Sequence, residues 1–178
     1  HRHNVSAFRF VVEGQEEAYT TVNGEQFPME RGDLILTPPF AWHDHVNEAD
    51  GDVIWLDGLD APLWKHLNAE NFENYHEDRQ PQGKPRGYHK NEYATLRDPD
   101  ADTPEFVPPF RYTWEESSDL LSQQAADEER YDPHDGYVLE YVNPATGGPT
   151  FPCLSLRLQL LPANDETQAH RHYSTEVY

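Results

Sequence analysis

The sequence predicts an all-β barrel or sandwich, with a few helices set between two strand-rich stretches. Three observations predict it. Short β-rich runs recur at regular spacing through residues 1–60. Asn23-Gly24 lies between two of these runs and is the strongest short-range signal for a two-residue hairpin. After Tyr137 the β pattern returns, and Leu154, Leu156, Leu158 and Leu160 share one face by alternation.

Taken in order, Phe8-Arg9-Phe10-Val11-Val12 reads as a strand that ends at Glu13-Gly14. Tyr19–Val22 and Glu25–Met29 are the arms of the hairpin around Asn23-Gly24. Arg31-Gly32-Asp33 turns the chain into Leu34–Thr37, and Pro38-Pro39 stops that strand because proline brings no N–H to a ladder. Val53–Asp57 reads as a short buried strand. Pro62–Tyr75 is predicted as a helix with Leu63, Leu67 and Phe72 near one stripe. Residues 76–112, rich in Pro, Gly and charge, read as a long excursion across a surface. Thr113 is the predicted cap of a helix from Trp114 to about Asp127, with Glu115 and Glu116 favourably placed in its first turn. Val138–Val142, the turn Asn143–Gly148 and Leu154–Leu161 complete the pattern.

Composition narrows the partners. Thirteen Lys+Arg stand against 33 Asp+Glu, a net charge of −20, so a phosphate backbone would be repelled and nucleic acid is excluded. No run of about 18 apolar residues is present, so no membrane span is expected. A single cysteine, Cys153, excludes an internal disulfide framework and a cysteine-based zinc knuckle, and reads as a small buried side chain. Mean hydropathy is −0.91, yet 12% aromatic residues argue for a packed core. Lysine occurs only at 65, 84 and 90, and the acids are spread along the chain. That coat resembles a protein of a salt-loaded cytoplasm, where a Debye length of about 3 Å at molar salt screens self-repulsion. The chain opens on His1 rather than Met and stops at Tyr178 inside what reads as a strand, so it is taken as a piece of a longer polypeptide, and no signal peptide is visible within it.

Six of the ten histidines fall in pairs with a one-residue gap: His1/His3, His43/His45 and His170/His172. On a strand, residues i and i+2 point the same way, so each pair projects two imidazoles to one side and begins a transition-metal site. One such pair is weak evidence; three in one short chain are much stronger. His66, His76, His89 and His134 have no partner at informative spacing and read as surface or loop residues.

The spacing carries a resemblance. His1-x-His3, three residues to Ala7 and six more to Gly14 form one half of a motif. The other half is Gly32, five residues, Pro38-Pro39-Phe40, two residues, His43, three residues, Asn47. Together they resemble the two metal motifs of the cupins, double-stranded β-helix (jelly-roll) barrels with the metal inside. His170-x-His172, three residues and Glu176 repeat the beginning of the pattern, with Asn164 where the family usually has Gly, which resembles a bicupin. Residues 8–14, 37–45 and 55–60 look like the N-terminal cupin of the gentisate 1,2-dioxygenase family, and residues 132–136 and 141–150 like its inter-cupin segment. Salicylate and 1-hydroxy-2-naphthoate dioxygenases share most of these motifs. The resemblance implies an incomplete N-terminal cupin at 1–61, a helical and loop inter-cupin segment at 62–136 and strands leading into a second cupin at 137–178.

By that resemblance His1, His3 and His43 hold Fe(II), and the usual glutamate slot is Ala7. Three neutral imidazoles leave the metal at a full +2 charge with three positions open in an octahedral shell. A doubly deprotonated ortho-hydroxy carboxylate would fill two and neutralise the charge, leaving the third for dioxygen. The implied reaction is extradiol-type cleavage of gentisate (2,5-dihydroxybenzoate) by O2 to maleylpyruvate, in a cytoplasmic homotetramer of a salt-adapted organism. Arg9, His45 and Asp57 are the expected catalytic side chains. Alternation puts Arg9 on the face of His1, His3 and Ala7, where a guanidinium could bind a carboxylate; a barrel-mouth arginine paired with an acid is the plainer reading. His45 shares the face of His43 and could bond oxygen or substrate, or orient its neighbour. Asp57 could accept from the hydroxyl para to the chelating one, or be a solvated strand-end acid. Trp42 and Trp55 read as packing. His170, His172 and Glu176 are a possible second metal site. A related salicylate or 1-hydroxy-2-naphthoate dioxygenase and a non-catalytic metal-holding barrel are the alternatives. A zinc or manganese isomerase or decarboxylase cupin is disfavoured, because such enzymes normally keep the glutamate.

Overall fold

A computed structural model describes residues 1–92 and 107–178. Its elements in order are β1 (Arg2–His3), β2 (Ala7–Glu13), β3 (Gln15–Val22), β4 (Glu25–Met29), β5 (Leu34–Thr37), β6 (His43–Asn47), β7 (Ile54–Leu59) and α1 (Ala61–His66). Then come β8 (Phe72–Glu73), α2 (Tyr88–Glu92), β9 (Phe110–Tyr112), α3 (Trp114–Ala125), β10 (Tyr137–Glu140) and β11 (Arg157–Leu160). One sheet runs β7-β2-β5-β9 and the facing one β4-β3-β6, with two-stranded pairs β1-β8 and β10-β11 beside them. No helix among the described residues is long and apolar enough to cross a membrane.

Alternation builds the interior. Arg9 and Val11 on β2 and Ile35 on β5 are buried, and Val11 and Ile35 meet Ala18, Val22, Phe27 and Met29 of the facing sheet in one apolar cluster. The opposite face of the same strands sends Phe8 and Leu36 into a second cluster with Val107 and Phe151, which seats the later segment on the barrel's outside. The hairpin forms as expected: Asn23 (φ 46°) and Gly24 (φ 85°) both take the left-handed conformation a type I′ turn requires. At Gly14 a Cβ would stand 2.1 Å from the Met29 carbonyl oxygen, so only glycine lets the β2–β3 corner close on β4. At Gly32 (φ 87°) a Cβ would strike the Trp114 ring at 2.7 Å, and Asp33 beside it accepts from the Trp114 N–H at 2.9 Å. These contacts fix the start of α3, which Thr113 caps by accepting from the Glu116 N–H.

Several expectations are corrected. The helix predicted from Pro62 to Tyr75 stops at His66: Asn68 turns left-handed (φ 50°), and Asn4 then captures the chain, its side chain bonding Ala69 and Asn71 so that β8 can pair with β1. β7 is an edge strand rather than a buried one; its outward Ile54 and Leu56 are 50% and 57% exposed, whereas Trp55 packs on the core. The last leucine run forms a strand only over Arg157–Leu160, and residues 161–178 form none. His89 is buried on Glu25 rather than lying at the surface, because a carboxylate inside the barrel's end needs its donors. Cys153 is exposed, in a turn outside the strands, with its Sγ 3.6 Å from Asp60 Oδ2. Of the predicted 76–112 excursion, residues 93–106 lie outside the described residues.

Candidate metal centre

The centre is assembled where β1 meets the start of β6. The His43 N–H donates to the His1 carbonyl at 3.0 Å, and the Phe40 N–H to the His3 carbonyl at 2.7 Å. This backbone pairing faces two imidazoles of one strand toward a third from the other. The ligand nitrogens of His1, His3 and His43 lie within 4.8 Å of one another, and among the described residues no carboxylate joins them. Ala7, buried on β2, offers no ligand atom at all.

Two of the rings are fixed in a single tautomer. His3 Nδ1 stands 2.8 Å from the Val5 carbonyl and His43 Nδ1 2.9 Å from that of Ala41. A carbonyl only accepts, so each Nδ1 carries the hydrogen and each Nε2 keeps its lone pair free. Burial, foremost, lowers the His43 pKa to about 4, so this imidazole is neutral at pH 7. Phe72 of β8 stacks on the His1 ring at 5.1 Å and walls that side. Three imidazole donors, two of them with preset tautomers, fit a divalent transition metal.

Arg9, His45 and Asp57 lie together beside this cluster. Arg9 grips Asp57 with both arms of its fork, Nε to Oδ1 at 2.8 Å and Nη2 to Oδ2 at 2.9 Å, across the β2–β7 ladder. Its Nη1 reaches His45 Nδ1 at 2.6 Å and Thr20 Oγ1 at 3.4 Å. Because a guanidinium can only donate, His45 Nδ1 is the acceptor and the ring proton sits on Nε2. Burial and then the Arg9 charge push the His45 pKa down to about 2. The His45 ring lies 5.7 Å from that of His43, and Trp55 lies under the guanidinium at 4.9 Å. A cavity of about 150 Å³ opens not beside Arg9 and Asp57 but on the other side of His1 and His43, lined also by Trp42, Asp44, Asn74 and Tyr75. Phe72, Asn74 and Tyr75 were not expected at the site, since only the β1–β8 pairing brings them there.

His170 and His172 face one another far along the chain, with Asp135 as the third member of their group and Glu176 3.3 Å from His172.

Residues 1–59 match the cupin domain family. A gentisate 1,2-dioxygenase of a Haloferax species is 46% identical over 100% of this chain and 53% of its own length. A 1-hydroxy-2-naphthoate 1,2-dioxygenase of a Nocardioides species is 40% identical over 99% of the chain and 46% of its own length. Among solved structures, a salicylate 1,2-dioxygenase from Pseudoaminobacter salicylatoxidans with bound gentisate superposes with a TM-score of 0.72 at 34% identity, over 88% of this chain and 44% of that one. The chain thus spans about half the length of the curated relatives it matches.

Proposed function

We infer the function from kinship: residues 1–59 belong to the cupin family, and the chain as a whole is related to ring-cleaving 1,2-dioxygenases of aromatic hydroxy acids. The proposed activity is Fe(II)-dependent opening of gentisate by O2 to maleylpyruvate, with His1, His3 and His43 as the iron ligands. The observation that carries it is the convergence of three imidazoles with no carboxylate among them. Iron(II) bound there supplies a charge not cancelled by the protein and open positions where a chelating hydroxy acid and dioxygen meet.

The remaining work falls to side chains of the barrel. His45, neutral and protonated on Nε2, donates a hydrogen bond to the substrate beside the cluster. Asp57 spends one lone pair of each oxygen on Arg9 and accepts the substrate's distal hydroxyl on another. Arg9 is the positioning residue: one guanidinium holds both partners and sets the tautomer of His45. Phe72, Trp42 and Tyr75 wall the space against water, Trp42 and Tyr75 meeting edge to face at 4.9 Å.

The test is oxygen uptake by the iron(II)-reconstituted protein with gentisate, at molar KCl and at low salt. Uptake with growth of maleylpyruvate absorbance is expected, and its loss at low salt follows if the net charge of −20 is tolerated only when screened. Uptake with salicylate or 1-hydroxy-2-naphthoate alone would keep the chemistry and change the substrate. No uptake with any of them despite bound iron would leave a metal-holding barrel. Within the site, Arg9→Met is expected to lower kcat by about 10–100-fold while iron content stays constant. Arg9→Lys, which keeps the charge but not the fork, should restore only part of the loss. An unchanged kcat in Arg9→Met would remove Arg9 from the machinery.

A further inference from the structure

We propose that Gln80 is a positioning residue for the metal cluster, acting from outside the barrel through the one peptide unit that joins Trp42 to His43. Both ends of its side-chain amide are engaged. Nε2 donates to the Trp42 carbonyl at 3.0 Å and to the Thr21 carbonyl at 2.9 Å, while Oε1 accepts from the Gly24 N–H at 3.0 Å. Carbonyls only accept and an N–H only donates, so these partners leave the amide a single orientation. The backbone N–H of Gln80 donates in turn to Asp44 Oδ2 at 2.9 Å. One residue therefore grips the chain on both sides of His43.

The place of His43 explains why that grip matters. It is the first residue of β6, where the ladder with β3 ends at the Val22–His43 pair before β3 turns away at Asn23-Gly24. The end of a ladder is the part that opens most readily. The Trp42–His43 peptide is planar, so its carbonyl and its N–H move as one body. On one side the carbonyl accepts from Gln80 Nε2 and, at 2.8 Å, from the Asn23 N–H; on the other the His43 N–H reaches the His1 carbonyl. That last bond joins the two ligand-bearing strands. A donor on the carbonyl also polarises the peptide and strengthens the bond its N–H makes. Asp44 has less support: its Oδ1 is buried with no partner among the described residues, so its carboxylate is held through the Oδ2 bond to Gln80.

The neighbours of Gln80 do none of this. Arg79 reaches Glu48 and Arg86 reaches Glu16, in exposed pairs that leave residues 42–44 untouched. The inference rests on the reading of His1, His3 and His43 as a metal site, and not on ring cleavage.

The experiment is cobalt(II) titration of the full chain, read by affinity and by the visible spectrum of the bound ion, with thermal unfolding of the metal-free protein alongside. Gln80→Glu keeps the shape but sets an oxygen against the Trp42 and Thr21 carbonyls; Gln80→Met removes the donors without that repulsion. Cobalt affinity is expected to fall about tenfold or more in each, with shifted bands at saturation. Arg86→Met loosens the same segment at its exposed pair with Glu16 and should change neither reading. A lowered Tm with affinity and bands as in the unmodified protein would make Gln80 a structural fastening only and overturn the proposal, as would an equal loss in Arg86→Met. Weakened cobalt binding in the Gln80 variants supports it whether or not the unmodified protein takes up oxygen. No cobalt bound by the unmodified protein would remove the ligand set and the proposal together. Should Gln80→Glu not fold, Gln80→Met decides.

Discussion

On the proposed function, His43→Ala should empty the metal site and abolish oxygen uptake. His43 is the only ligand of the cluster that comes from β6; His1 and His3 both belong to the β1 end of the chain. Without it, two imidazoles on one strand face a gap, and among the described residues no carboxylate joins the cluster to substitute. Losing a partner that merely orients a ligand typically weakens metal binding by about 10–100-fold, so losing a ligand should exceed about 100-fold. Metal analysis after dialysis, together with oxygen uptake, checks this. Retention of iron and turnover in His43→Ala would take His43 out of the metal set, and the cluster would have to be rebuilt around other donors.

The second large effect is on stability. Glu25, 1% exposed, accepts from the Gly87 N–H at 2.6 Å, from the His89 N–H at 2.9 Å and from the His89 ring. Lys84 Nζ stands 3.0 Å from His89 Nε2, and a lysine only donates; Nε2 therefore accepts and Nδ1 is the nitrogen that donates to Glu25. Both side chains are 5% exposed or less, so solvent screens little of the interaction. Glu25→Ala strands two buried donors and a half-buried one at once, at a cost of about 3–5 kcal/mol. For a chain of this size that lowers Tm by about 6–20 °C. Glu25→Gln keeps an acceptor for the two backbone N–H groups and should lose distinctly less. Thermal unfolding gives the size, and limited proteolysis should find new cleavage around residues 84–92. A loss in Glu25→Ala of under about 1 kcal/mol would show that the clasp contributes little.

The two sets of residues differ in how far the sequence announces them. His1/His3 and His43/His45 are legible because strand alternation is local: a one-residue gap guarantees a shared face whatever the rest of the fold does. Arg9 falls to the same rule, and its cross-strand neighbour Asp57 becomes evident once β2 and β7 are paired. Glu25 and His89 escape it, being 64 positions apart with nothing local to set them off from ordinary surface residues. Asp135 escapes for a similar reason, since it sits in a turn that contacts of residues 133 and 134 with 168 and 170 bring beside the histidines. The predicted helix at 62–75 failed because Asn4, far upstream, competes for the same backbone.

The pairing of His1 with His43 joins positions 42 residues apart. A cation shared by these two histidines is therefore a removable cross-link as well as a cofactor. Because such an ion binds the folded barrel and is lost on unfolding, it stabilises the fold by mass action, about 2.7 kcal/mol at a free concentration 100 times its Kd. The barrel's resistance to unfolding and its loading with metal are thus one linked quantity, and the fold without its cation unfolds more readily than the loaded one.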